Sequence, residues 1–211
     1  MIFLAEKAIN AVVEIIYNHF FDWLILIILL AGAFYTLKVI GNEKVSFKED
    51  SYAVQFGDLY LSIPNWWSIT LQESSVLKFE RTDTRYDWYA IYQYFPSHEE
   101  KSMPQLLEDK LNKEGIEFDM DVVFETDSRV LFRDPKIQEN FQEVIRVEGQ
   151  ASENVTERIY YDIYLMRGNN DQGYFIFESR SSVLNGLVEG PYFEESLSEL
   201  GFVRDAETLT T

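Results

Sequence analysis

The chain has 211 residues, no cysteine and a formal net charge of −18 at pH 7, with 46% hydrophobic and 16% aromatic residues. The missing cysteine excludes disulfides, thiolate metal sites and cysteine nucleophiles. So acidic a surface repels phosphate backbones, which argues against nucleic acid as a partner.

Residues 1–22 read as an amphipathic helix, because Lys7, Asn10, Glu14, Asn18 and Asp22 recur every three or four positions while Ile9, Val12, Val13, Ile16 and Phe20 fill the rest of the surface. Two arrangements satisfy such a stripe. The helix can lie on the bilayer surface, or it can continue into the next segment and set its polar side against another membrane subunit. The second arrangement makes Asn10, Glu14, Asn18 and Asp22 candidate partner-binding residues.

Trp23 to Leu37 carries no charge, and Phe20, Phe21, Val39 and Ile40 lengthen the apolar run to about 21 residues, enough to span hydrocarbon at the helical rise. Residues 20–40 are therefore expected to cross the bilayer, with Asp22 and Lys38 near the headgroups. A cleaved signal peptide fits poorly, since Glu6, Lys7, Glu14 and Asp22 precede the run and no small-x-small site follows it. Ala31, Gly32 and Ala33 permit close helix approach. Lys38, Lys44 and Lys48 follow the run and only Lys7 precedes it, so a literal positive-inside count puts the rest of the chain in the cytoplasm. Gly41 to Asp50 is short and polar enough for a stalk.

From residue 51 to 204 the apolar spacing is mostly two, the period of strands. Val54 to Phe56 and Leu59 to Ile63 form an expected hairpin around Gly57-Asp58, and strands follow at Trp66 to Leu71, Val76 to Arg81 and Trp88 to Phe95. A helix is predicted from Ser102 to Gly115, with Met103, Leu106, Leu107 and Leu111 on one face and Pro104 in its first turn. Strands return at Asp121 to Glu125, Ser128 to Phe132, Phe141 to Glu148, Arg158 to Met166 and Tyr174 to Ser181. A last helix is expected from Tyr192 to Leu200, started by Pro191 and stopped by Gly201, and residues 205–211 form a frayed polar tail. Strands, helix, strands, helix is an α+β order: an N-terminal transmembrane helix, then an antiparallel sheet domain flanked by helices.

Chemistry-bearing residues are sparse. Glu117, Asp119 and Asp121 would share one face of a strand, which a solvated edge explains as well as a divalent cation does. His19 falls in the membrane-proximal helix and His98 in a Pro-Ser-His-Glu-Glu loop, and no nucleophile elbow, phosphate loop, dinucleotide fingerprint or zinc helix occurs. Asn154-Val155-Thr156 matches a glycosylation acceptor, a triplet that arises readily by chance. The expectation is a non-enzyme without catalytic residues, metal or cofactor. Trp66, Trp67, Tyr89 and Tyr92 offer large flat contact areas and are further partner-binding candidates, although alternation sends one of each pair inward.

The succession Phe56-x-x-Leu59-x-Leu61-x-Ile63-Pro64-x-Trp66, an aromatic strand, a helix opening at Ser102-Met103-Pro104-Gln105-Leu106, strands ending in Gly173-Tyr174-Phe175-Ile176-Phe177 and a terminal helix near Phe193 to Phe202 resembles the PsbP/Mog1-like domains, DcrB-like members included. The resemblance covers about Tyr52 to Phe202. It implies an antiparallel sheet between helices, and binding or assembly modules with no shared catalytic residues. Joined to the apolar helix, it points to an accessory subunit or assembly factor of an integral membrane protein complex, anchored in the lipid bilayer by a single pass. The resemblance favours a bacterial inner membrane with the domain outside the cytoplasm, against the lysine count. The alternative is a tethered ligand-binding or sensory domain with a tyrosine-lined pocket between sheet and helix.

Overall fold

The computed structural model describes residues 19–81, 87–96, 101–169 and 173–202, and the chain divides into two units, Met1–Glu49 and Asp50–Thr211. In the first unit helix α1 spans Phe20–Glu49 and runs without interruption through the expected stalk. Its stretch Phe20–Lys38 has a mean hydropathy of 2.1 and is nowhere buried, so it is long and apolar enough to cross a bilayer. The hydroxyl of Thr36 donates to the carbonyl of Gly32 at 2.9 Å, which satisfies this polar group within the helix itself.

The second unit is an α+β domain. In chain order it contains β1 (Ser51–Phe56), β2 (Leu59–Pro64), β3 (Trp67–Gln72), β4 (Val76–Arg81), β5 (Trp88–Phe95), α2 (Met103–Glu114), β6 (Ile116–Glu125), α3 (Ser128–Leu131), α4 (Pro135–Asn140), β7 (Phe141–Glu153), β8 (Glu157–Gly168), β9 (Tyr174–Ser182), α5 (Val183–Ser198) and β10 (Gly201–Phe202). A 7-stranded sheet has the order β3-β4-β5-β9-β8-β7-β6, and a 3-stranded sheet the order β1-β2-β10. Every pairing is antiparallel. The large sheet is thus two local meanders joined where β5 meets β9, from Trp88 opposite Ser181 to Phe95 opposite Tyr174.

Both faces of the large sheet are covered, which explains why β8 is buried or half-buried along its length after Arg158. On one face Tyr92, Phe177, Tyr164 and Met166 meet Phe193 and Leu197 of α5 together with Leu59, Leu61 and Ile63 of β2. On the other face Tyr161, Ile163, Leu165, Ile145 and Val147 meet Met103 and Leu106 of α2. Each buried Leu, Ile or Phe contributes about 1.5–3 kcal/mol, so these faces and not helix propensity hold α2 and α5 in place.

The backbone signals of α2 act as read. The backbone N–H of Ser102 donates to Gln105 Oε1 at 3.0 Å, Pro104 occupies the first turn, and Gly115 ends the helix in the left-handed region at φ 66°. A side chain there would be strained by that φ and would meet Asn154 Oδ1, 2.7 Å from an added Cβ.

Three expectations are corrected. Ser128 to Phe132 is not a strand but the short helix α3, because the Asp127 carboxylate accepts from the Arg129 N–H and fixes a helical turn. Asp134 caps α4 in the same way, with Pro135 at its start, and these two caps outweigh the β-propensity of Val130 to Phe132. The last helix begins at Val183 after Ser182, not after Pro191, which lies inside it. Burial of Phe193, Ser196 and Leu197 offsets the hydrogen bond that Pro191 removes. Finally, β6 starts directly after Gly115 and is bulged between Phe118 and Val122. The bulge breaks the simple alternation of Glu117, Asp119 and Asp121.

Candidate functional site

Among the described residues, buried charged side chains gather on both faces of the large sheet. On the α5 side, helix geometry brings Glu189 over β3 and β4, where its side chain is completely buried. The indole N–H groups of Trp66 and Trp67 donate to Glu189 Oε2 at 3.3 and 2.8 Å, and the Arg81 guanidinium pairs with Oε1. Trp67 lies on Trp88 with ring centroids 4.2 Å apart, and Trp66 meets Tyr192 edge-on at 5.0 Å. Charge-assisted bonds of this kind are what make a buried carboxylate tolerable.

Further along the same face, Arg146 of β7 reaches Asp162 of β8 through Nε at 3.2 Å and Nη2 at 3.0 Å. Its Nη2 also donates to Glu148 at 2.6 Å and to Glu194 of α5 at 3.3 Å. Tyr160 donates its hydroxyl to Glu148, and the Arg146 guanidinium lies 5.0 Å from the centre of the Tyr164 ring. Burial pushes the Asp162 carboxyl up to about 7, Arg146 pulls it down, and Glu148 and Glu194 push it further up. Burial works against the Arg146 charge, but Asp162 and Glu148 hold its proton more firmly than in water. Buried and crowded by two further carboxylates, Asp162 thus holds its proton to higher pH than an ordinary aspartate.

On the α2 side, Lys110 bridges Glu114 at 2.6 Å and Glu178 at 2.9 Å. The Tyr161 hydroxyl donates to Glu178 at 2.5 Å. Burial raises both the Glu178 carboxyl and the Tyr161 phenol, and Lys110 counteracts it at Glu178. Arg180 pairs with Glu153 beside this group, and burial raises the nearby Tyr89 phenol.

Of the residues singled out from sequence, Trp66, Trp67 and Tyr89 fall at these clusters. Asn10, Glu14 and Asn18 lie outside the described residues. Asp22 is exposed on α1 and accepts from His19 Nδ1 at 2.9 Å. Trp67 and Tyr92, expected among partner-facing aromatics, are core residues at 2% and 0% exposure. Tyr92 donates or accepts at Ser196 Oγ, 3.2 Å away. Inward alternation on β3 and β5 is the reason. Trp66 and Tyr89 keep partial exposure, and Lys78 Nζ stands 4.8 Å over the Tyr89 ring. Glu189, Arg146, Asp162 and Glu178 were not singled out, yet they are the buried charged side chains among the described residues. The signal was present in Val144-x-Arg146 and Tyr160-x-Asp162-x-Tyr164, where charges occupy inward positions of apolar strands.

A cavity of about 310 Å³ opens at the start of α2, lined by Met103, Pro104, Thr126, Ser128, Phe141 and Glu143 among others. It lies apart from the tyrosines that a ligand pocket was expected to use. Among the described residues no group of three or more acidic or imidazole side chains is arranged to hold a metal ion.

No family model and no curated protein sequence matches the chain. Among solved structures, the chain is similar to the Ran-binding protein Mog1p of Saccharomyces cerevisiae, at 7% identity and a TM-score of 0.45 over 72% of this chain and 95% of that one. A mutant form of protein Mog1 aligns at 10% identity and a TM-score of 0.44, over 72% and 96% of the two chains. The cyanobacterial PsbP of Synechocystis aligns at 10% identity and a TM-score of 0.42, over 72% and 91%. At such identities a likeness concerns the fold and says nothing of what this chain binds.

Proposed function

We propose that the chain is a membrane-tethered, non-enzymatic binding module, an accessory subunit or assembly factor of an integral membrane protein complex. One observation carries this reading: an apolar helix, Phe20–Lys38, that is nowhere buried belongs to a different unit from the folded domain beginning at Asp50. A helix of that length and composition is placed at lowest free energy in a bilayer, and it confines the acidic domain to the membrane surface, where the effective concentration toward a membrane partner is high. The polar stripe of Asn10, Glu14 and Asn18 supplies contacts to that complex in this reading, and the domain lies outside the cytoplasm.

The reading is tested on the full chain in native membranes. The protein resists carbonate extraction, and gentle solubilisation followed by affinity capture returns a stoichiometric membrane partner. Replacing Asn10, Glu14 and Asn18 together by leucine leaves extraction unchanged and removes the protein from the complex on native electrophoresis. Added protease digests the domain in intact spheroplasts. A carbonate-extractable protein, or a free monomer whose domain is stabilised by a small molecule, overturns the reading.

A further inference from the structure

The outer edge of the large sheet at β6 is open: among the described residues β6 pairs with β7 alone. Sheet edges of soluble proteins are normally kept short, bulged, covered or marked with lysine, because a bare row of backbone N–H and C=O groups templates another strand. Here the bulge lies in the middle of the strand, between Phe118 and Val122, and leaves the last four residues regular. From Val122 to Glu125 the pairing with β7 runs in register, Val122 opposite Gly149 through Glu125 opposite Arg146. This regular stretch carries exposed apolar side chains, Val123 at 53% and Phe124 at 61%, and Met120, within the bulge, is at 100%. Neither lysine nor arginine occurs in the strand, whereas Glu117, Asp119, Asp121 and Glu125 punctuate it.

We infer that β6 is a docking edge for an extended segment of a partner protein in which apolar residues alternate with lysine or arginine, added to the sheet as an eighth, antiparallel or parallel, strand. Backbone pairing would supply affinity, and the alternating side chains would supply selectivity. Charge decides between occupants. A second copy of this chain would set the β6 carboxylates against one another, and like charges facing across a strand pair are destabilising. A basic strand that sets its cations on the face of Glu117 and Glu125 sets its apolar residues on the opposite face, along Val122 and Phe124. The inference rests on the reading of the domain as a binding module and names the edge through which it binds.

The test uses the full chain in detergent and a fluorescent ten-residue peptide alternating valine with lysine. The peptide binds with an affinity that falls as salt rises, slows amide hydrogen exchange at residues 121–125, and is not replaced by the same peptide with glutamate for lysine. Phe124→Lys puts the usual guard on the edge and weakens binding at least ~10-fold, with melting temperature as the check on folding. Val188→Lys, which adds the same charge at an exposed position of α5, leaves binding unchanged. Equal binding by Phe124→Lys, equal loss in both variants, protection at another strand, or dimerisation through β6 overturns the inference. If Phe124→Lys still captures the membrane complex as the native chain does, the edge is wrong and the accessory-subunit reading stands. If the native chain captures no membrane partner, that reading falls while the peptide titration still decides the edge.

Discussion

Glu189, whose own side chain has no exposure, gathers two indole N–H groups and a guanidinium. Removing the carboxylate leaves the buried end of Arg81 and both tryptophans without that acceptor, so Glu189→Ala is expected to cost about 3–5 kcal/mol in urea unfolding. A loss within about 0.5 kcal/mol, the level of an ordinary surface change, would show that the cluster is not a stabilising one. Asp162 gives the pH dependence. Its folded value of about 7 lies above its ordinary 3.8, so the folded state holds a proton that the unfolded chain has already released. The stability due to that proton is complete below the unfolded value and is lost as pH rises through about 7. The melting temperature of Asp162→Asn, which cannot titrate, should therefore gain on that of the native chain between those two values and run parallel to it above them. A difference that does not vary with pH would remove the assignment. These residues were hard to read in sequence because a lone Arg or Asp inside an apolar strand pattern looks like an irregular exposed face. Their meaning comes from register, which brings Arg146 and Asp162 of adjacent strands into contact.

At the scale of elements, α5 depends on two glycines with unequal roles. An added Cβ at Gly186 would lie 2.3 Å from Tyr160 Cβ, whereas at Gly190 the nearest atom, Tyr160 Cε1, is 3.5 Å away. Gly186→Ala is expected to force α5 away from β8 and to cost about 1–3 kcal/mol. Gly190→Ala meets ordinary contact and is expected to stabilise by about 0.4–1 kcal/mol through a less flexible unfolded chain. Equal effects of the two in thermal melts would contradict the tight seat of Tyr160. The same glycines explain why α5 was legible only in part. Gly186, Gly190 and Pro191 all read as helix breakers, while the tertiary contact that requires Gly186 is invisible in a linear string. By contrast β4, β5 and α2 were legible to their ends, since Val76–Arg81 and Trp88–Phe95 alternate cleanly and α2 carries its stop at Gly115. Ser128 to Phe132 misled because the β-propensity of Val130 and Phe132 competes there with an aspartate cap.

For the whole molecule, the boundary at Glu49 and Asp50 predicts that residues 51–204, expressed alone, give a soluble protein with a cooperative thermal transition. A broad, non-cooperative melt by circular dichroism would show that the domain needs the preceding segment. The candidate site was legible as a set of residue types more than as a place. Sequence separated an apolar helix from an acidic domain, but the openness of β6 follows from its terminal position in the strand order, which no local pattern announces. The junction of the two meanders bears on how the protein is made. Strand β5, Trp88–Phe95, waits for β9, Tyr174–Ser182, so the sheet cannot close until β9 has left the ribosome, and pairings this distant in sequence are slow to form. Helix α1 emerges long before that moment and requires only its own backbone bonds. Under the tether reading, delivery to the membrane therefore precedes folding, and a nascent chain stalled before Tyr174 would display Trp88, Ala90 and Tyr92 on an open strand to whatever quality control attends that surface.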